Sequence, residues 1–256
     1  MAYFNIYLKK QLSKLFYHFG YELVSVDRSG DRPRDRLINM PPNELKQIDI
    51  ILMEFSKEMA YNPDFQFDNL KNYLTRDRIY FFHEVIDLCK EYEVGMDGKS
   101  VVDIGSGLGY LLRCINNEFT PKSLTGYDTF EAILPLARKF CQEANFQPTD
   151  LYEVEESFDI VFCTEVIEHM IHPAEAVKKL FSVLNPGGKL IITIPDGRKD
   201  NYPAKNIRAD GTAYWGHINF WSPENWPIFL QEQLPKSVEV KTGLINRSKI
   251  FGIIKK

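Results

Sequence analysis

Five residues of this 256-residue chain stand out for the chemistry they could do. Glu165, Glu168 and His169 lie at i, i+3 and i+4 in the stretch FDIVFCTEVIEH, residues 158–169. If the chain turns helical from Thr164 onward, the three side chains share one face. His172 follows one turn later, and His217 sits in the distant aromatic segment YWGHINFW. Carboxylates beside imidazoles can take a proton from a weakly acidic hydroxyl. They can also form an oxygen and nitrogen site for Mg²⁺, Mn²⁺ or a similar cation. A purely structural role for the same residues stays open. His217 is the first choice for base or ligand, with His169 and Glu165 beside it.

The elements that must position these groups surround VVDIGSGLGY, residues 101–110. Val101, Val102 and Ile104 read as a short buried strand. Gly105, Gly107 and Gly109 open a turn, and LLRCINNEF continues at helical spacing. Strand, glycine turn and helix form the nucleotide-binding corner of a doubly wound α/β sheet. Dinucleotide sites space their glycines G-x-G-x-x-G, whereas here the spacing is G-x-G-x-G and Tyr110 stands in the third place. Asp103, two residues before the first glycine, suits a ligand with positive charge rather than phosphate. S-adenosylmethionine carries a sulfonium and an ammonium and no phosphate. SLTGYDTF (residues 123–130) reads as a second strand ending in Asp128, placed to accept from both ribose hydroxyls. LNPGGKLIITIP (residues 184–195) reads as a turn and a fifth strand.

These four stretches, in this order, resemble the class I S-adenosylmethionine-dependent methyltransferases. They look most like the branch that holds ubiquinone-pathway, natural-product and surface-polysaccharide O-methyltransferases. The resemblance covers roughly residues 72–256. It implies an α/β fold: a doubly wound, mostly parallel, seven-stranded Rossmann-like sheet with an antiparallel last strand. It further implies a cofactor site built from Asp103, Gly105, Ser106, Gly107, Gly109, Tyr110, Asp128, Thr129 and Thr164. Asp150 and Leu151 fit an acid and apolar neighbour that hold adenine, and Arg76 or Arg78 fits an arginine approaching the methionine carboxylate. Small-RNA 2′-O-methyltransferases use a similar Glu-x-x-Glu-His motif plus a distal histidine as metal ligands, which Glu165, Glu168, His169 and His217 match. Metal-free members of the branch carry the motif as well, so the resemblance implies S-adenosylmethionine and leaves Mg or Mn open.

Composition bounds the rest. The formal charge is −4 and 44% of residues are apolar, so the chain reads as globular with a sizeable core. No strongly basic balance advertises nucleic acid, and such a partner is not expected. The four scattered cysteines (Cys89, Cys114, Cys141, Cys163) read as core residues in a reducing, cytoplasmic setting. No apolar run suggests a membrane span, and no signal-peptide pattern is seen.

Residues 1–70 read as an N-terminal helical extension, and residues 71–256 as the methyltransferase-like domain. The extension has helical spacing from Phe4 to Phe19, a short strand at residues 21–26, a charged linker at 27–42 and a second amphipathic helix at 44–59. Such extensions cover the active site or build a dimer in related enzymes, so homodimer formation and weak membrane-surface contact both stay open. Further along, a helix is expected from Tyr73 to Cys89 with Thr75 as N-cap, and another from Phe130 to Ala144 kinked at Pro135. A third strand falls near residues 146–148, and helices over 174–184 and 222–233, with Ser222-Pro223-Glu224 marking a helix start. A terminal hairpin around Asn246-Arg247 is expected, its antiparallel last strand closing the sheet edge.

Residues 196–217 read as a polar substrate lid whose Arg198, Lys199, Lys205 and Arg208 either meet an anionic or polyhydroxylated acceptor or belong to a plain solvated loop, and both readings stay open. Tyr202, Tyr214, Trp215, Phe220 and Trp221 suit stacking or plain packing. The expected activity is O-methylation of a small polar acceptor, leaning to a carbohydrate or nucleotide sugar. RNA 2′-hydroxyls, quinone precursors and a catalytically silent cofactor-binding scaffold are the alternatives.

Overall fold

A computed structural model of the chain describes residues 76–199, 217–246 and 248–256. The expected elements of the N-terminal extension, the Thr75 cap and most of the lid (Tyr202, Lys205, Arg208, Tyr214 and Trp215 included) lie outside the described residues. So do the side chains of Arg76 and Arg78, although their backbone is helical.

The sheet has seven strands in the order β3-β2-β1-β4-β5-β7-β6. These are β1 (Ser100–Ile104), β2 (Ser123–Tyr127), β3 (Asn145–Gln147), β4 (Phe158–Thr164), β5 (Leu184–Pro195), β6 (Glu239–Asn246) and β7 (Lys249–Lys255). The first five pair in parallel, and β7 runs antiparallel to both its neighbours. The helices are α1 (Arg76–Glu91), α2 (Tyr110–Glu118), α3 (Leu134–Phe140), α4 (Pro173–Ser182) and α5 (Trp226–Gln233).

The central strands are apolar almost throughout because helices cover both faces. Val102, Val161, Leu190 and Ile192 are fully buried. The outer strand β6 alternates between exposed and half-buried residues instead, as an edge exposed to water requires.

Four expectations change. The last strand does not close the sheet edge: β7 inserts between β5 and β6, and β6 takes the edge. No mid-helix kink forms at Pro135, because α3 starts at Leu134 and the proline falls in its first turn, where no backbone N–H is needed. Phe130 lies outside any helix, and Glu131–Ile133 form a short 3₁₀ turn instead of α-helix. Ser222 does not start the last helix. Its N–H donates to Asn225 Oδ1 at 2.7 Å in a closed turn, and α5 begins at Trp226 with Pro227 behind it.

All four cysteines are buried, and none is in a disulfide. The aromatic pair Trp221 and Trp226 packs edge to face at 5.2 Å, and Trp226 donates to the Phe251 carbonyl, so packing accounts for both rings. No helix among the described residues is long and apolar enough to cross a membrane.

Candidate functional site

The glycine turn leaves β1 with Gly105, Gly107 and Gly109 all at positive φ. Two of these have neighbours that a side chain would strike. A Cβ on Gly105 would come 2.4 Å from Val166 Cγ2, and one on Gly109 would come 2.4 Å from the Phe146 ring. The turn is thus pressed between the chain leaving β4 and the ring on β3. Only glycine satisfies both the backbone angle and the space.

Asp128 holds this turn from the end of β2. Its Oδ2 accepts from Gly107 N at 2.8 Å and its Oδ1 from Phe130 N at 2.8 Å. Each carboxylate oxygen keeps a further lone pair for a ligand. Burial raises the Asp128 pKa, and the two backbone bonds pull against that rise.

Asp103 lies deeper. It is 1% exposed, and its Oδ1 has no hydrogen-bond partner among the described residues. Burial, joined by the nearby Asp128 charge, raises its pKa well above the usual carboxylate range. Ser106 Oγ is also buried without a hydrogen-bond partner among the described residues. An orphaned carboxylate oxygen under a glycine turn fits a cationic group and disfavours phosphate.

The other candidates for the cofactor lie around this corner. Thr129 is exposed and Tyr110 is buried at the start of α2. Tyr110 packs edge to face on Phe140 at 4.4 Å. Thr164 ends β4, buried. Asp150 caps the short turn Leu151–Glu153: its Oδ1 accepts from Tyr152 N at 2.9 Å, and Leu151 behind it is buried.

The expected helical face of Glu165, Glu168 and His169 does not form. Residues 167–169 make a 3₁₀ turn, and Glu165 before it has φ 58°. The left-handed step turns the Glu165 side chain away. Its Oε1 accepts from Thr193 Oγ1 at 3.2 Å and its Oε2 from Lys249 Nζ. Glu165 therefore leaves the acid–imidazole set.

What the structure does bring together is Glu168, His169 and His217. One candidate ligand atom from each lies within 4.8 Å of the others. Glu168 Oε1 is 3.9 Å from His169 Nε2 and 3.8 Å from His217 Nε2, and the two rings meet edge to face at 4.7 Å. Glu168 is buried, His217 is 13% exposed and His169 is 34% exposed, so the group faces outward from a closed base. His172 is not in it, being exposed at the N-terminus of α4.

His217 reaches the cluster through its backbone neighbours. The N–H groups of Ile218 and Asn219 both donate to the Glu168 carbonyl, at 2.9 and 3.1 Å. Asn219 Nδ2 donates to the Met170 carbonyl at 2.6 Å. The sequence reading missed Asn219, and no signal in the sequence marks such a clasp.

At the start of the lid, Asp196 is 1% exposed and Arg198 grips it with Nε and Nη2 at 2.9 and 2.8 Å. Arg198 Nη1 also meets Glu224 at 2.8 Å. The Arg198 bonds hold the Asp196 carboxyl below the usual range. Arg198 is thus engaged within the protein by Asp196 and Glu224.

The methyltransferase domain family matches residues 74–232. A tRNA U34 carboxymethyltransferase of Campylobacter curvus is 37% identical over 110 residues, which cover 39% of this chain and 35% of that protein. A ubiquinone biosynthesis O-methyltransferase of Psychrobacter arcticus is 27% identical over 176 residues, 64% of this chain and 68% of the relative. The chain therefore spans about a third of the first relative and about two thirds of the second. Among solved structures, the plantazolicin methyltransferase BpumL, in complex with SAH and a monoazolic desmethylPZN analog, superposes with TM-score 0.61 at 15% identity. That superposition covers 84% of this chain and 99% of the other, a likeness of fold.

Proposed function

The chain belongs to the methyltransferase domain family, the class I S-adenosylmethionine-dependent methyltransferases, and from that premise we propose that it methylates a hydroxyl group held beside Glu168, His169 and His217. The observation that carries the reading is this cluster, set two residues from Val166, whose side chain rests on the glycine turn.

The cofactor assignments follow the chemistry of each group. Asp103 receives the cofactor ammonium at its unpartnered Oδ1. Asp128 accepts from the ribose hydroxyls while it keeps Gly107 and Phe130 in place. Leu151 and Asp150 border the adenine, and Ser106, Thr129, Tyr110 and Thr164 line the remainder. Arg78 stays the candidate for the cofactor carboxylate.

Methyl transfer is an in-line displacement. The acceptor oxygen forms its bond to the methyl carbon as the carbon–sulfur bond breaks and the sulfonium becomes a neutral thioether. The enzyme supplies alignment and a destination for the hydroxyl proton. His217 takes that proton at Nε2, and Glu168 Oε1, 3.8 Å away, stabilises the resulting imidazolium.

The same side chains suit a divalent cation. Two imidazoles and one carboxylate fit Mn²⁺ better than Mg²⁺, which prefers oxygen ligands. Bound there by Glu168, His169 and His217, such an ion would make the acceptor hydroxyl more acidic.

The acceptor we favour is a small molecule with an aromatic hydroxyl. Such a hydroxyl has a pKa near 10, so one histidine suffices as base. Ile171, Ile218 and Phe220, neighbours in sequence of the two histidines, are exposed apolar side chains that support an apolar acceptor body. The similarity to a ubiquinone biosynthesis O-methyltransferase supports it too. Arg198, one of the lid cations that could meet a carbohydrate acceptor, is instead engaged by Asp196 and Glu224.

The test is methyl transfer from labelled S-adenosylmethionine to a catechol (3,4-dihydroxybenzoate), a nucleotide sugar and a short RNA, each with and without chelator. Label on the catechol, lost in His217→Ala, is the expected result. Label only on sugar or RNA overturns the acceptor assignment. S-adenosylhomocysteine binding without any transfer favours a silent scaffold.

A further inference from the structure

We propose that Lys249 is a positioning residue for this site: it latches Glu165 in the left-handed conformation that sets both the glycine turn and the Glu168–His169–His217 cluster. The proposal rests on the methyltransferase reading of that site.

Glu165 is the first residue beyond β4, at the carboxyl end of the parallel strands where ligands of such sheets bind. Among the described residues it and Glu93 alone depart from glycine at positive φ. An L residue with a long side chain stays there only where its surroundings over-determine it. Here they do so through three bonds. Glu165 N donates to the Thr193 carbonyl at 3.0 Å, Thr193 Oγ1 donates to Oε1 at 3.2 Å, and Lys249 Nζ donates to Oε2. The Glu165 side chain is 5% exposed and the Lys249 side chain 27%, so the pair is largely withdrawn from water.

Lys249 is well placed for this task. It opens β7 opposite Pro195 of β5, at the same end of the sheet. Its Nζ also lies 5.8 Å from the centre of the Phe81 ring on α1. A neighbouring contact, Asn246 Nδ2 to Glu84 Oε2 at 2.7 Å, ties the same hairpin to the same helix.

The consequence runs through the next four residues. The left-handed step delivers Val166 against the α-carbon of Gly105. It then starts the 3₁₀ turn that presents Glu168 and His169 to His217. One latch therefore governs the floor of the cofactor turn and the orientation of the acid–imidazole group.

Glycine takes the left-handed region without a side-chain latch. Once Glu165→Gly is in place, Lys249 has nothing left to hold. The experiment compares the wild-type protein, Lys249→Met, Lys249→Arg, Glu165→Gly and the double variant Glu165→Gly/Lys249→Met. It reads S-adenosylhomocysteine affinity by calorimetry and the imidazole Hε1 resonances of His169 and His217 by NMR.

Lys249→Met is expected to bind about tenfold more weakly, the order that one strained backbone residue represents. It should also shift both resonances, and Lys249→Arg should recover most of each effect. In the Glu165→Gly background, Lys249→Met should change neither readout. Equal losses in both backgrounds, or no loss in Lys249→Met alone, overturn the proposal. If the wild type itself fails to bind S-adenosylhomocysteine, the cofactor reading fails. The resonances then decide the latch alone: shifts confined to the Glu165 background support it, and unmoved resonances overturn it.

Discussion

Replacing Asp103 by asparagine should move stability and cofactor affinity in opposite directions. Asp103 is buried, its Oδ1 has no hydrogen-bond partner among the described residues, and Asp128 presses a second negative charge on it. Leaving a buried polar group unsatisfied costs about 1–3 kcal/mol, and more when it is charged. A neutral amide escapes the charge part, so Asp103→Asn should stabilise the cofactor-free protein by about 1–2 kcal/mol at neutral pH. The pH dependence fixes the cause. With its folded pKa raised, Asp103 binds more protons in the native than in the unfolded state between the usual carboxylate range and the raised value. Its contribution is therefore fully present at acid pH and is lost as pH rises. The stability gap between variant and wild type should close below the usual carboxylate range and widen toward neutrality. Cofactor affinity should fall, because the ammonium loses a charge-assisted partner of about 1.5–3 kcal/mol, roughly 10- to 100-fold. S-adenosylhomocysteine is the right ligand for the measurement: it keeps the ammonium and lacks the sulfonium. Urea unfolding across pH and calorimetry at neutral pH give the two numbers. A gap that does not change with pH, or an affinity equal to wild type, would refute the assignment of Asp103 as a buried charge awaiting a cation.

Other substitutions separate the parts of the site. Asp128→Ala removes both the Gly107 and Phe130 bonds, so it should destabilise the protein by about 1–3 kcal/mol as well as weaken S-adenosylhomocysteine; weakened binding with unchanged urea midpoint would mean the glycine turn does not need it. His217→Ala should lower transfer at least 100-fold, within the range for loss of a general base, and leave S-adenosylhomocysteine affinity within about twofold. Restored transfer on adding Mn²⁺ to that variant would argue against the base role. Arg198→Met leaves Asp196 without its paired guanidinium and should lower stability near pH 7. Asp196 has a lowered pKa, so its contribution is present above the usual carboxylate range and is lost as pH falls through the folded value. The penalty measured by urea unfolding should therefore shrink in acid.

The glycine corner could be read from sequence because its causes are local. Three glycines at fixed spacing, an apolar run before them and helical spacing after them specify strand, turn and helix without help from distant residues. The strand-four turn could not be read in the same way. Residues at i, i+3 and i+4 share a face only if the backbone is helical, and Glu165 breaks that condition. Its left-handed angle comes from Thr193 and Lys249, which lie 28 and 84 residues away in sequence. The position of β7 between β5 and β6 is what brings Lys249 there, so misplacing the last strand at the edge also hid the fate of Glu165. His217 shows the converse. Its residue type suggested chemistry, but its placement depends on Ile218 and Asn219 sharing the Glu168 carbonyl, a clasp with no sequence signature. The acid–imidazole group is thus assembled from two turns whose shapes are set elsewhere in the sheet. A motif match fixes which residues are present, and the strand order decides which of them meet.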